Sequence, residues 1–84
     1  MIMHTIMIDG ALYFSSRDLH LALKKMLSLP DYYGMNSDAL NDCLSEKKET
    51  VNLWILDTGN DEISSSLQRI CAVVEDNGGM VKEM

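Results

Sequence analysis

Residues 51–81, VNLWILDTGNDEISSSLQRICAVVEDNGGMV, contain a strand, a helix and the start of a second strand in direct succession. The run at 51–56 is short and apolar and is followed by a polar loop, which is typical of a buried strand. The helix carries an apolar stripe at helical spacing, made of Ile63, Leu67, Ile70, Cys71 and Val74. Asn77-Gly78-Gly79 ends the helix, because glycine adopts a left-handed backbone without strain, and Met80-Val81 begins the next strand. This order predicts two parallel strands joined by a right-handed crossover.

The first third of the chain has the same order of strand and helix. Residues 2–8 form an apolar run that ends at the turn Asp9-Gly10, which predicts a strand that can be covered on both faces of the sheet. Ser15 or Ser16 caps the helix that follows, and Pro30 marks its end. The apolar stripe of this helix consists of Leu19, Leu23, Met26 and Leu27.

A second, shorter helix is predicted to begin after Asn36, whose side chain can cap it. Its apolar side carries Leu40, Cys43 and Leu44. Its polar side carries Asp38, Asn41, Asp42 and Ser45. Residues 46–49 are predicted to form a charged connector to the strand at 51–56. The whole order, from strand through two helices to strand, helix and strand, predicts one α/β domain over residues 1–84 with a parallel sheet.

Charge and hydropathy exclude several classes of partner and location. The chain carries 13 acidic and 7 basic residues, a net charge of −6, which disfavours direct binding to nucleic acid or to anionic lipid and suits a basic protein partner. The start lacks the basic segment of a signal peptide, and no stretch approaches the roughly 20 apolar residues that cross a membrane. We expect a soluble cytoplasmic protein.

Catalytic, metal and cofactor sites are not indicated by the sequence. Cys43 and Cys71 are far apart and lie among aliphatic residues, which predicts buried free thiols. His20 is expected near the polar side of the first helix with no nucleophile close in sequence, and Trp54 is expected to be buried in its strand. We therefore expect a protein that is not an enzyme and that needs no cofactor.

Asp38 and Asp42 lie one helical turn apart, and we call this pair the acidic ridge. Like charges at this spacing weaken a helix by roughly 0.2–0.5 kcal/mol, and no basic residue lies one turn away to compensate. Asp31 and Glu46 add to the negative field. By spacing alone, the ridge is either a solvated polar face or a binding surface. Both carboxylates point to solvent with no opposing wall, so they do not form a hydrolase cleft.

The loop before this helix favours the second interpretation. Tyr32-Tyr33-Gly34-Met35 places large side chains where folding alone would allow small ones. Aromatic rings beside charges are typical of interface anchors, although we expect one of the two tyrosines to belong to the core.

Residues 18–44, DLHLALKKMLSLPDYYGMNSDALNDCL, resemble the barstar family, small intracellular inhibitors of the secreted ribonuclease barnase. The resemblance covers about a third of the chain and includes Leu29-Pro30, Tyr32-Tyr33-Gly34, Asp38-Ala39-Leu40 and Asp42-Cys43-Leu44. It implies a three-stranded parallel sheet packed with three to four helices. It also implies that the second helix and the preceding loop block the active site of a small basic ribonuclease, or of a related toxin. We expect the protein to be a monomer when free.

The resemblance assigns roles to individual positions. It places Asp42 where the substrate phosphate would lie, Asp38 against further basic groups, and Tyr32 on the catalytic histidine of the ribonuclease. The candidate partner-binding residues are Tyr32, Tyr33, Gly34, Asn36, Asp38, Asn41, Asp42 and Ser45. Asn41 and Lys47 stand where the family often has tryptophan. These departures leave open a second function, a non-inhibitory interaction module of the same fold that docks another basic protein.

Overall fold

The protein folds as one parallel sheet of three strands with helices packed on it. The structure is a computed structural model and describes residues 3–47 and 50–83. The elements are β1 (Met3–Asp9), a short 3-10 helix (Gly10–Leu12), α1 (Ser16–Met26), α2 (Ser37–Lys47), β2 (Thr50–Asp57), α3 (Asp61–Asp76) and β3 (Met80–Glu83). This α/β architecture confirms the predicted fold. Ile2, in the predicted first strand, and residues 48 and 49, in the predicted connector, lie outside the described residues.

The sheet has the strand order β1-β2-β3, and both neighbouring pairs are parallel. Leu53 in the central strand pairs with Ile6 on one side and with Val81 on the other. The Leu53 side chain points to the face of the sheet that is buried under the helices, and four other strand residues share this face. They are Ile6, Ile8, Val51 and Ile55, and all five pack with the apolar stripes of α1, α2 and α3.

The opposite face of the sheet is open, so the expectation of a strand covered on both faces was wrong. Met7 is 53% exposed and Met80 is 60% exposed. Trp54 lies on this face and is only half-buried, which corrects its expected burial. The Lys82 ammonium lies over its ring, 5.2 Å from the ring centroid. An apolar strand sequence does not show whether one or both faces will be covered, because that depends on where the helices pack.

The helix boundaries follow from local capping groups. Ser15 Oγ accepts a hydrogen bond from the Asp18 amide at 3.2 Å, and Asn36 Oδ1 accepts one from the Ala39 amide at 2.8 Å. Both predicted caps are confirmed. α2 continues through Lys47, so Glu46 belongs to its last turn and not to a connector.

The two residues that precede β3 are both glycines, for different reasons. Gly78 has a positive φ of 82°, as predicted for the end of α3. Gly79 packs so closely against β2 that a Cβ there would lie 2.3 Å from the Val51 carbonyl oxygen. A side chain at residue 79 therefore cannot fit without a backbone shift.

We expect Gly79→Ala to lower the free energy of unfolding by about 1–3 kcal/mol, because the new methyl group overlaps backbone that cannot rotate away. Urea unfolding followed by circular dichroism measures this difference. The exposed Ser65→Ala on α3 is the control and should stay within about 0.5 kcal/mol of the wild type. Equal stabilities of Gly79→Ala and wild type would contradict the close approach.

Neither cysteine forms a disulfide, and Cys71 is less buried than predicted. Cys43 is buried and Cys71 is half-buried. Burial, together with the carboxylates of Glu75 and Glu83, raises the pKa of Cys71 to about 11. Its thiol therefore stays protonated at neutral pH, which is typical of a structural and not of a reactive cysteine.

Candidate functional site

The orientation of α2 follows from the three apolar residues that it buries. Leu40, Cys43 and Leu44 are 0%, 5% and 2% exposed and belong to the core. The other side of the helix is therefore held in solvent, and Asp38 and Asp42 are exposed on it. The predicted division of α2 into an apolar and a polar side is confirmed.

The acidic ridge has no counter-charge within the chain's described side chains. Among those side chains, no lysine or arginine lies within ion-pair distance of Asp38 or Asp42. Asp31, in the loop before α2, does form an ion pair, with Lys24 Nζ 3.6 Å from Asp31 Oδ1. The two carboxylates are therefore free to meet positive charge on another molecule.

The two tyrosines of the loop have different environments. Tyr32 is 76% exposed, whereas Tyr33 is 4% exposed and packs with the core. The expectation that one tyrosine belongs to the core is therefore confirmed. Tyr32 can present its ring to a partner, while Tyr33 can contribute only its backbone and its support of the loop.

His20 is buried and hydrogen-bonds to Tyr33 of the loop, so its expected position near the polar side of α1 was wrong. Its Nδ1 lies 2.5 Å from Tyr33 Oη, and Tyr33 Oη in turn donates to the Asn36 carbonyl oxygen at 3.4 Å. Burial lowers the pKa of His20 and raises that of Tyr33, so both groups are neutral at pH 7. α1 is thus tied to the start of α2 through two buried, uncharged rings.

Asn36 also orders the loop from the other end. Its Nδ2 donates to the Gly34 carbonyl oxygen at 3.3 Å while its Oδ1 caps α2. Met35 between them has a positive φ of 58°. A segment held at both ends loses little conformational entropy when a partner binds it.

Asn41 and Ser45 are exposed, but both are engaged with α3. Asn77 Nδ2 donates to Asn41 Oδ1 at 2.8 Å, and Ser45 Oγ donates to Asn77 Oδ1 at 3.0 Å. Asn77 is the C-cap of α3, and it had no place in the predicted site. These contacts join residues more than thirty positions apart, so no local pattern in the sequence indicates them.

A small pocket lies between the loop and α2. Its volume is about 220 Å³, and it is lined by Tyr32, Tyr33, Gly34, Ala39, Asp42, Cys43 and Glu46. Four of the candidate residues, counting the backbone of Gly34, thus meet in one concave patch. No group of three or more metal-ligating side chains occurs within the described ranges, and no helix in them is long and apolar enough to cross a membrane.

Comparison with known proteins identifies the family of this chain. The family model described as "Barstar (barnase inhibitor)" matches residues 3–79, nearly the whole chain. The chain belongs to the barstar family. The predicted resemblance, made on residues 18–44 alone, is therefore confirmed.

One curated relative is similar over about half of its length. It is the Bacillus subtilis (strain 168) protein named "Putative ribonuclease inhibitor YrdF", 51% identical over 43 residues. The match covers 51% of this chain and 47% of the relative, so it spans about half of each. As a barstar-family protein, the chain belongs to an inhibitor family and not to an enzyme family.

Proposed function

We propose that this barstar-family protein inhibits a small basic ribonuclease by covering its active site with α2 and the loop over residues 27–36. The observation that carries the proposal is the exposed acidic ridge, which no described lysine or arginine side chain pairs, on a helix whose other side is fixed in the core. A carboxylate pair without a counter-charge costs helix stability and serves no contact within the described fold. Its position suits a cationic partner.

The physical basis is imitation of RNA phosphate. A ribonuclease active site must be positively charged to hold its substrate, and arginines that clamp a phosphate clamp a carboxylate with the same fork geometry. Asp42 is the central mimic because it lies beside the pocket and the exposed ring of Tyr32. Asp38, one turn earlier, extends the negative surface toward further basic groups.

Two further properties favour rapid and tight binding. The net charge of −6 attracts a basic enzyme over a distance and raises the association rate. The loop is ordered in advance by Asn36 and by the bond between His20 and Tyr33. As part of the same proposal, the inhibitor is a monomer when free and acts in the cytoplasm.

The test is a titration of small basic ribonucleases, barnase among them, with the purified protein at low and at high salt. We expect 1:1 inhibition of at least one enzyme, with an inhibition constant that rises steeply with salt because opposite charges are screened. Inhibition that is insensitive to salt, or no inhibition across the panel, would contradict the proposed function.

A second candidate function is supported by the contacts of Asn41. This residue stands where the family often has tryptophan, and it bonds to Asn77 within the chain. The surface near the middle of α2 therefore offers less apolar area to a partner, which suits a module that docks a basic protein other than a nuclease. Affinity capture of such a protein, lost with Asp42→Ala, would favour this alternative over inhibition.

A further inference from the structure

We propose that Glu46 and Asp42 together hold one arginine side chain of the partner in the pocket beside Tyr32, and that Glu46 thereby selects partners. The inference rests on the proposed function and deepens it. The resemblance to the family gives Glu46 no partner contact, and the sequence pattern predicted that it lies in the connector at 46–49. In the structure it lies in the last turn of α2 and lines the same pocket as Asp42.

The geometry brings a ring and two carboxylates to one cavity. Asp42 and Glu46 are four positions apart on α2, so their side chains project from the same side of the helix, one turn apart. Tyr32 lines the pocket from the loop, and Ala39 and Cys43 line it from α2. The cavity thus has apolar walls with negative charge at two adjacent positions.

These features fit a guanidinium better than other groups. The volume, about 220 Å³, is below the roughly 300–1,000 Å³ of ordinary small-molecule sites and suits a single side chain. Arginine combines an apolar stem, a weakly hydrated planar cation that stacks on aromatic rings, and a donor fork that can reach two carboxylates. A lysine ammonium is a more strongly hydrated point charge and loses more on entering an apolar cavity.

The position of Glu46 is unfavourable for the free protein, which makes a structural role a poor explanation. A negative charge in the last turn of a helix opposes the helix dipole, and a like charge one turn earlier adds repulsion. No described lysine or arginine side chain forms an ion pair with Glu46. Removing the charge should therefore stabilise the free protein slightly while it weakens binding.

The first test compares Glu46→Gln with Glu75→Gln against the inhibited ribonuclease. Glu75 is the matched control, because it is an exposed glutamate in the last turn of α3 and lies beside Cys71, away from the pocket lining. We expect Glu46→Gln to raise the inhibition constant about tenfold and the melting temperature by roughly 1–2 °C. Glu75→Gln should change the inhibition constant less than twofold. Equal inhibition by Glu46→Gln and wild type would overturn the inference and leave the proposed function standing.

The second test needs no ribonuclease. The free protein is titrated with arginine amide, and amide shifts are followed by NMR, with citrulline amide as the neutral isostere. We expect arginine amide to shift the signals of Tyr32, Gly34 and Glu46, citrulline amide not to, and Glu46→Gln to weaken the response at least threefold. Shifts of the same size in Glu46→Gln, or no shifts at the pocket, would overturn the inference. Failure of the ribonuclease panel alone would instead count against the proposed function.

Discussion

Asp42→Ala should weaken inhibition of a susceptible ribonuclease by about 2–5 kcal/mol, from roughly thirtyfold to several thousandfold in the inhibition constant. In the proposed complex the carboxylate would be desolvated against arginines, and its removal would leave their charges buried without a partner. The magnitude is transferred from charge pairs between barnase and its inhibitor, the reference system for such effects. Steady-state inhibition at several salt concentrations measures both the loss and the reduced salt dependence.

The same substitution should leave the free protein at least as stable as the wild type. Asp42 makes no ion pair with a described side chain, and its removal relieves repulsion from Asp38 of roughly 0.2–0.5 kcal/mol. Asp76→Ala, which removes an exposed aspartate from the last turn of α3, is the control with the same change in net charge. If Asp76→Ala weakens inhibition as much as Asp42→Ala does, general attraction and not phosphate mimicry accounts for the effect.

The second large effect is a loss of stability at acidic pH that depends on His20. Burial lowers the pKa of His20 in the folded protein below its ordinary value of 6.5. Between pH 6.5 and that lower pKa, the unfolded state binds more protons than the folded state. Stability contributed by neutral His20 is thus fully present above about pH 6.5 and is lost as the pH falls through the folded pKa. For a single group the slope in this window cannot exceed about 1.4 kcal/mol per pH unit.

His20→Gln should abolish this part of the pH dependence, because glutamine does not titrate. Tyr33→Phe should lower the free energy of unfolding at pH 7 by about 1–3 kcal/mol, since it deprives the buried His20 Nδ1 of its partner. Urea unfolding at a series of pH values measures both effects. The half-buried Tyr13→Phe is the control and should stay within about 0.5 kcal/mol of the wild type at every pH. A His20→Gln protein with the wild-type slope below pH 6.5 would show that other groups cause the acid sensitivity.

The two effects are linked through the loop that carries the proposed binding surface. Tyr33 joins His20 on α1 to the carbonyl of Asn36 at the start of α2. A variant that breaks this connection should lose mainly stability. Its inhibition should fall only to the extent that the loop becomes less ordered. Asp42→Ala should show the reverse, so the pair of variants separates the support of the site from its contact chemistry.

Several features of the fold could be predicted because they depend on neighbours in sequence. The strand at 51–56, the caps Ser15 and Asn36 and the left-handed Gly78 are each determined by side chains within four residues. The division of α2 into two sides has the same origin, since a helix of period 3.6 presents residues three and four apart together. The resemblance to the barstar family then indicated the use of the acidic ridge, which periodicity alone left open.

The sequence by itself therefore determined the order of the strands and longer helices, the caps of α1 and α2 and the polar side of α2, because those features arise from short-range sterics and hydrogen bonds. Only the tertiary structure decided which histidine is buried, which sheet face stays open and which side chains share the pocket. His20 meets Tyr33 across 13 positions, Asn41 meets Asn77 across 36, and Glu46 lines the same pocket as Tyr32 of the loop before its own helix. Such contacts depend on how the helices pack on the sheet, and no local propensity encodes that packing.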